Sequence, residues 1–378
     1  MTSTPPSAQT STPTSALPLT STVTTVQAGG RSWAGLLATL LDRRDLTGVD
    51  TAWAMDQVVR GEATTAQVAA FLTALRAKGE TAAEIRGLAD SLRGHATKVT
   101  IAGTFADIVG TGGDRTGAVN ISTMAAVVAA ATGVTVVKHG GRAASSSTGG
   151  SADVLEQLGV PLDTTPEQAA RTAAEAGIAF LFAPRFNPGL RGVAAVRREL
   201  AVPTAFNVLG PLVNPAGPRH QVVGVADARM APVVAGVLAA RGGSALVVRG
   251  QDGLDKLTTT TTSRVWVVRD GTVTTTTFDP AGLGLPRAEP GALRGGAAAG
   301  NADVVRALLG GRRGPIRDVV LLNAAAVLVA LDPSPESLAE RLAAAMARCA
   351  EAVDSGGAAA TLDRWIAAAH RVMGPPAG

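Results

Sequence analysis

The sequence of 378 residues contains no tyrosine, and aromatic residues make up only 3% of it. Proteins that bind single-stranded nucleic acid usually stack bases on aromatic side chains, so this composition argues against that class. Basic and acidic residues are nearly balanced, at 34 and 30. No block of basic residues marks a nucleic-acid-binding arm. We therefore expect no nucleic-acid partner.

Cysteine and long apolar runs are also scarce. Cys349 is the single cysteine, which excludes an internal disulfide and fits a reducing cytoplasm. No segment reaches the ~18 uninterrupted apolar residues that indicate a transmembrane helix. Residues 1–31 are rich in Ser, Thr and Pro but lack the basic and apolar regions of a signal peptide. We predict a disordered tail over residues 1–31, a cytoplasmic protein and no membrane partner.

The segment from residue 32 to residue 98 has helical periodicity throughout. Leucines recur at helical spacing from Leu36 to Leu41, and Thr81 with Glu84 forms a capping-box pattern before another apolar stripe. The segment contains no strand candidate. We predict a small all-helical domain over residues 32–98.

From residue 99 to residue 374, short apolar runs alternate with helical ones. Such alternation predicts an α/β domain with a mostly parallel central sheet flanked by helices. The alternation pauses after Phe182 and resumes after Ala228. The predicted strands are Phe105–Val109, Val134–Val137, Ile178–Phe182, Ala245–Val248 and a hairpin over Arg264–Phe278.

The strongest functional signal follows the first of these strands. The stretch Asp107-Ile-Val-Gly-Thr-Gly-Gly-Asp114 leads into Asn120-Ile-Ser-Thr123, where a helix is predicted to begin. Backbone amides of a glycine loop and of a helix start can face an anion together. The next strand delivers Lys138-His-Gly-Gly-Arg142, which adds positive charge at the sheet edge where ligands usually bind. These motifs predict a phosphate site.

The same motifs resemble those of the anthranilate phosphoribosyltransferases. The resemblance continues through Phe182-Ala-Pro-Arg-Phe186, Phe206-Asn-Val-Leu-Gly-Pro-Leu212 with Asn214-Pro215, and Gly253-Leu-Asp255. It covers most of residues 33–370. It implies transfer of a phosphoribosyl group from 5-phosphoribosyl 1-diphosphate (PRPP) to anthranilate in tryptophan biosynthesis, with Mg²⁺ as cofactor. It also implies a homodimer formed through the helical domain. In addition, it implies that a segment near residues 188–206 packs with the helical domain.

The resemblance further implies roles for individual residues. Lys138 and Asp114 would be catalytic, and Ser122 and Asp255 would hold magnesium. Anthranilate would contact Gly110, His139 and Arg197. Because no carboxylate lies near His139 in the sequence, we expect it to line the pocket rather than act as a general base. The donor would contact Gly110, Gly113, Asp114, Asn120, Ile121, Ser122, Thr123, Lys138, His139, Gly140, Arg142, Ser145 and Ser146.

Several positions depart from the family pattern. Gly141 stands where the family has asparagine, and Asn187, Leu190 and Gly192 stand where it often has histidine or a larger side chain. These departures leave the identity of the acceptor open. Lys256 replaces the glutamate that would hold magnesium beside Asp255, and a protonated lysine cannot ligate a metal. The number of magnesium ions, and the strength of their binding, are therefore open.

Three alternatives remain at this point. The first is a diverged enzyme that ribosylates another aromatic acceptor. The second is an enzyme like the pyrimidine nucleoside phosphorylases, which Gly141-Arg142 and Thr148-Gly-Gly150 faintly resemble and which needs no metal. The segment Phe206–Leu212 argues against it. The third is a protein that binds a phosphoribosyl ligand without catalysis.

Overall fold

The computed structural model describes residues 30–142, 149–289 and 291–374, without the side chains of residues 190 and 191. Its chain begins with four helices, each started by a side chain that accepts a backbone N–H. Thr47, Thr64 and Thr81 each form a full capping box, as the sequence predicts for Thr81. These helices are α1 (Trp33–Leu41), α2 (Gly48–Val59), α3 (Thr65–Lys78) and α4 (Ala82–Gly94).

The rest of the described chain forms a seven-stranded sheet and the helices that cover it. The strands are β1 (Phe105–Gly110), β2 (Thr135–Gly140), β3 (Ile178–Phe182), β4 (His220–Gly224), β5 (Ser244–Gly250), β6 (Ser263–Arg269) and β7 (Thr272–Phe278). Their order across the sheet is β3-β2-β1-β4-β5-β6-β7. The first five are parallel, and β6 and β7 add an antiparallel hairpin at one edge. This is the mostly parallel sheet that the sequence predicts.

Helices cover both faces of the sheet. They are α5 (Ile121–Ala131), α6 (Ser151–Leu158), α7 (Pro166–Ala176), α8 (Ala183–Phe186), α9 (Ala194–Leu200), α10 (Phe206–Leu209), α11 (Met230–Ala240), α12 (Ala298–Leu309), α13 (Pro315–Leu331), α14 (Leu338–Asp354) and α15 (Gly357–Met373). Short 3₁₀ turns lie at Pro188–Val193, Gly210–Leu212 and Pro280–Leu283.

Alternate residues of each central strand enter different cores, because successive side chains of a strand point to opposite faces. Ile108 of β1 and Val222 of β4 belong to a core that also contains α5 and α13. Val109 and Val223, one position later, belong to a second core shared with α11 and the N-terminal helices. Burial on both faces is why these strands read as nearly continuous apolar runs.

The second core also joins the N-terminal helices to the segment after β3. Val193 and Val196 share it with Met55 and Val58 of α2. Gly189 lies so close to Val59 that a Cβ there would be 2.7 Å from its Cγ1. Helices α2 and α3 therefore pack directly on residues 188–200.

Two elements fall outside the alternation that the sequence indicates. Strand β4 lies inside the pause between Phe182 and Ala228, and its run His220-Gln-Val-Val-Gly224 is too short to stand out among nearby prolines and glycines. Helix α7 begins at Pro166 after the Thr165 cap. Among the described residues, no helix is both long and apolar enough to cross a membrane.

Candidate active site

The glycine loop begins at the carboxyl end of β1, in the middle of the sheet. Gly112, Gly113 and Gly117 have positive φ angles of 68°, 76° and 64°, a conformation that glycine adopts without strain. Gly110 needs to lack a side chain for another reason. A Cβ at this position would collide with the side chains of Asp255 and Lys256.

Helix α5 starts directly after this loop. Its N-cap residue, Asn120, makes no side-chain capping bond. Instead, Asn120 Nδ2 donates to the carbonyl of Gly149 at 2.9 Å, and Asn120 Oδ1 accepts from Asn301 Nδ2 at 2.8 Å. The amides of Ile121 and Thr123 donate to the carbonyls of Val119 and Asn120. The amide of Ser122 has no acceptor among the described residues, so it can serve an anionic ligand.

Lys138 projects from β2 toward the start of this helix. Its Nζ donates to the carbonyl of Ile108 at 2.6 Å and to Ser122 Oγ at 3.2 Å. The residue is only 2% exposed. Burial lowers the pKa of Lys138 to about 8, although the charge of Asp107 opposes this shift. The ammonium group thus lies between β1 and the first turn of α5, beside the hydroxyl of Ser122.

Asp107 is the acidic residue that lies behind Lys138, inside β1. It is fully buried, and burial raises its pKa to about 6 against the opposing charge of Lys138. Asn214 Nδ2 donates to Asp107 Oδ2 at 2.9 Å and to the carbonyl of Val137 at 3.0 Å. Asn214 thereby holds β1, β2 and the segment after α10 together behind the site.

His139 is held neutral by its surroundings. Its Nδ1 lies 3.2 Å from the carbonyl of Gly210, and its Nε2 lies 3.0 Å from Asn187 Nδ2. Because a carbonyl only accepts hydrogen bonds, Nδ1 carries the proton and Nε2 accepts. Burial lowers the pKa of His139 to about 4. The basic nitrogen of His139 is thus already engaged by Asn187, and its role as a pocket-lining residue stays a prediction.

Asp255 lies in the loop after β5 and contacts the glycine loop. Its Oδ2 accepts from the amide of Gly112 at 2.7 Å, and its Oδ1 is paired with Lys256 Nζ. Its own amide lies 3.4 Å from Asp114 Oδ2. Burial raises the pKa of Asp255 to about 6, and the charge of Asp114 adds to this shift. For Asp114, burial is outweighed by Lys256 and by hydrogen bonds, so its pKa is lowered.

Arg142 points away from the glycine loop. Its guanidinium pairs with Asp153 at 2.7 Å and with Glu156 at 2.5 Å, both on α6, and it lies over the ring of Phe182. Hydrogen bonds to these carboxylates raise its pKa. Ser145 and Ser146, the remaining predicted donor contacts, lie outside the described residues.

The predicted acceptor residue Arg197 lies on α9. It is half-buried, its guanidinium carbon lies 6.0 Å from the centre of the Phe206 ring, and burial lowers its pKa. Among the described residues, a Cβ at Gly141 would find only the Ala183 Cβ, at 4.0 Å. Asn187 is 1% exposed, Gly192 is exposed on a 3₁₀ turn, and the side chain of Leu190 lies outside the described part.

Two family models match this chain. The model described as the helical bundle domain of a glycosyl transferase family matches residues 34–96, and the model of its a/b domain matches residues 102–359. Relatives called anthranilate phosphoribosyltransferase match nearly end to end. The protein of Streptomyces griseus is 59% identical over 90% of this chain and 96% of its own length. The protein of Streptomyces avermitilis is 60% identical over 91% and 97%. The chain belongs to the anthranilate phosphoribosyltransferase family.

Solved structures agree with this assignment. The anthranilate phosphoribosyltransferase of Thermus thermophilus has a TM-score of 0.82 and 40% identity, covering 88% of this chain and 99% of its own. The Saccharomyces cerevisiae enzyme, solved in complex with PRPP and Mg, has a TM-score of 0.79 and 27% identity, covering 89% and 97%. The helical bundle followed by a larger α/β domain is therefore the architecture of this family.

The structure brings together most residues that the family motifs indicate. The glycine loop, the start of α5, Lys138 and Asp255 form one cluster through the contacts above. Ile121 contributes only backbone, because its side chain is buried in the core, and Gly140 ends β2 beside the ring of Phe180.

Other residues contribute to the site although no role is predicted for them from the sequence. Asp107, Asn214 and Asn301 support the site, and Gly224 makes room for it, because a Cβ at Gly224 would collide with the backbone of Asp255. Asp107 and Asn214 stand in motifs that the sequence shows, and Asp107 is also a single acid within an otherwise apolar strand.

Proposed function

We propose that this chain transfers the 5-phosphoribosyl group of PRPP to the amine of anthranilate, giving N-(5-phosphoribosyl)anthranilate and diphosphate in tryptophan biosynthesis. The observation that carries the proposal is the site formed by the glycine loop, the uncapped start of α5 and Lys138, in a chain related end to end to anthranilate phosphoribosyltransferases. The backbone amides and the ammonium group of this site can bind a phosphorylated ligand.

The reaction breaks the bond between the anomeric carbon and the diphosphate oxygen, while the anthranilate nitrogen forms a bond to that carbon and loses a proton. Negative charge grows on the leaving diphosphate. We assign its stabilisation to Lys138, to the amide of Gly113 and to the amide of Ser122 in the first turn of α5. A preorganised donor of this kind typically contributes about 3 to 4 kcal/mol to transition-state stabilisation. The predicted contacts of Arg142, Ser145 and Ser146 remain part of the proposal.

For the acceptor, we assign the carboxylate of anthranilate to Arg197. Its guanidinium is partly desolvated and has no ion-pair partner among the described residues, so a carboxylate can bind it in a bidentate manner. The buried Oδ1 of Asn187 also lacks a partner within the described chain. It is suited to accept an N–H of the acceptor's amine. The aromatic amine is already neutral near pH 7, so positioning matters more than a strong base.

Magnesium, bound together with the donor, would neutralise charge on the diphosphate oxygens. Asp255, Asp114 and the Ser122 hydroxyl offer the oxygen ligands that magnesium prefers. Within the described residues, however, no group of three or more His, Cys, Asp or Glu side chains is placed to hold a metal. Lys256 also occupies one oxygen of Asp255. We infer that Lys256 supplies part of the positive charge, so magnesium is held mainly by the donor, with help from Ser122 and Asp255.

This inference predicts that PRPP binding depends only weakly on magnesium. By isothermal titration calorimetry, the wild type should bind PRPP in EDTA within about tenfold of its affinity in magnesium, because Lys256 keeps a positive charge beside the donor. A factor of ten corresponds to about 1.4 kcal/mol. Lys256→Glu should lose binding in EDTA and recover it with magnesium. Lys98→Glu, the same charge change at an exposed site, should behave like the wild type. Equal magnesium dependence in all three proteins would refute the role of Lys256.

We also propose that the protein forms a homodimer through its N-terminal helices. Leu41 at the end of α1 is 75% exposed, and Val49 in α2 is 60% exposed. An interface between identical copies on these two successive helices would cover both side chains.

The activity is tested with purified protein, PRPP, magnesium and anthranilate. Turnover consumes anthranilate, so its fluorescence should fall while diphosphate accumulates. A panel of other aromatic amines tests the choice of acceptor, and a nucleoside with inorganic phosphate tests the phosphorylase alternative. PRPP binding without turnover of any acceptor would contradict the proposed enzyme and support a binding protein.

A further inference from the structure

A cavity of about 300 Å³ lies at the end of the sheet opposite the glycine loop. The residues before β4 and β5, including Arg219, form one wall, and α4 of the helical domain forms the other. Because the strands are parallel, their amino ends meet here, whereas Gly110 lies at a carboxyl end. The cavity is therefore separate from the candidate active site.

Four arginines line this cavity: Arg86, Arg93, Arg219 and Arg241. The described lining contains a single acidic residue, Asp90. Its carboxylate is shared by Arg241 at 2.7 Å, Arg86 at 3.2 Å and Arg93 at 3.5 Å.

This arrangement leaves most of the positive charge uncompensated. One carboxylate balances one of the three guanidinium groups around it, and Arg219 has no carboxylate partner among the described residues. Like charges this close repel one another, so a site of this composition attracts anions.

We propose that the arginine cavity, defined by these four arginines and Asp90, is a binding site for inorganic phosphate or a small phosphate ester. A guanidinium group presents several N–H donors in one plane, a geometry that suits phosphate oxygens. Arg241 is fixed in place, since it also donates to the carbonyl of Leu212 at 2.8 Å. The volume is sufficient for inorganic phosphate or a small phosphate ester.

One segment of the chain connects the arginine cavity to the back of the candidate active site. Arg241 donates a hydrogen bond to the carbonyl of Leu212. The carbonyl of Gly210, two residues before Leu212, accepts a hydrogen bond from His139 Nδ1. Asn214, which lines the cavity, donates to Asp107. Residues 210–214 thus lie between the arginine cavity and the candidate active site.

The test is calorimetric titration of the full chain with inorganic phosphate. Arg86→Gln combined with Arg93→Gln removes two exposed guanidinium groups and should weaken cavity binding about tenfold or more, as expected for lost charged hydrogen bonds. Arg44→Gln combined with Arg60→Gln makes the same charge change outside the cavity and should alter the affinity less than about twofold. Circular dichroism verifies that both double variants fold.

Phosphate also binds the glycine loop if that site works as proposed, so the titration is repeated with Lys138→Ala. The binding that remains in Lys138→Ala should disappear when the two cavity substitutions are added. If Lys138→Ala abolishes all phosphate binding, or if the cavity variant binds like the wild type, the proposal is overturned. Arginine-dependent binding of citrate without binding of phosphate would overturn the assignment to phosphate.

Discussion

Arg197 has an environment that is suited to binding the carboxylate of the acceptor. Its guanidinium is half-buried over Phe206 without an ion-pair partner among the described residues, whereas its neighbour Arg198 is exposed. We expect Arg197→Gln to raise the KM for anthranilate about 100-fold, since a charged hydrogen bond contributes about 1.5 to 3 kcal/mol. The KM for PRPP should change little.

Steady-state kinetics with each substrate varied in turn measure both constants. Arg198→Gln removes the same charge one position away and serves as the control. Similar KM values for anthranilate in the two variants would show that Arg197 does not bind the carboxylate.

His139 gives a prediction about stability and pH. Its pKa is lowered to about 4 from 6.5 because it is buried as a neutral ring. Protonation therefore favours the unfolded chain, and the stabilisation that is present above pH 6.5 is lost as the pH falls toward 4. The loss from this residue is at most about 3 kcal/mol in the free energy of unfolding.

Urea denaturation at several pH values, for the wild type and for His139→Gln, measures this contribution. Asp107 and Asp255 have raised pKa values and act with the opposite sign, so the difference between the two proteins is the quantity to compare. The difference in the free energy of unfolding between the wild type and His139→Gln should shrink as the pH falls from 6.5 to 4. Parallel curves would mean that His139 titrates normally.

Among the elements, β4 decides whether the site assembles. It lies between β1 and β5 in the sheet, and its last residue, Gly224, packs against the backbone of Asp255. We expect Gly224→Ala to push the Asp255 loop away from Gly112, to reduce kcat/KM sharply and to lower the free energy of unfolding by about 1 to 3 kcal/mol, the usual cost of overpacking.

Chemical denaturation and the anthranilate assay measure these two effects. Gly94→Ala at the end of α4, where a Cβ would meet no described atom within 4 Å, is the matched control and should lose neither stability nor activity. If Gly224→Ala kept full activity, the Asp255 loop would not depend on this close approach.

For the whole molecule, the exposed leucine and valine of α1 and α2 predict a dimer. Light scattering after size-exclusion chromatography should give twice the chain mass for the wild type. Leu41→Glu combined with Val49→Glu should give a monomer, because two charges would be buried in the interface. Val273→Glu changes an exposed valine on β7 and should leave the dimer intact. A wild-type monomer would contradict the proposal.

Local patterns in the sequence determined much of this protein. The capping boxes of α2 to α4, the glycine loop and the apolar strands depend on neighbouring residues, so the helical domain, the α/β class and the donor motifs can be predicted without coordinates. The family resemblance then indicated the chemistry. Strand β4 escaped prediction because five residues with two central valines give no distinctive period.

Only the tertiary structure decided which distant residues meet. Asp255 lies 143 positions after Gly112, yet its carboxylate accepts a hydrogen bond from the Gly112 amide. The two residues meet because β4 and β5 place the Asp255 loop beside β1. The tertiary structure also directed Arg142 toward α6 and gathered arginines from α4 and from the amino ends of β4 and β5 into one cavity. Strand order is set by packing of the whole sheet, which no local pattern encodes.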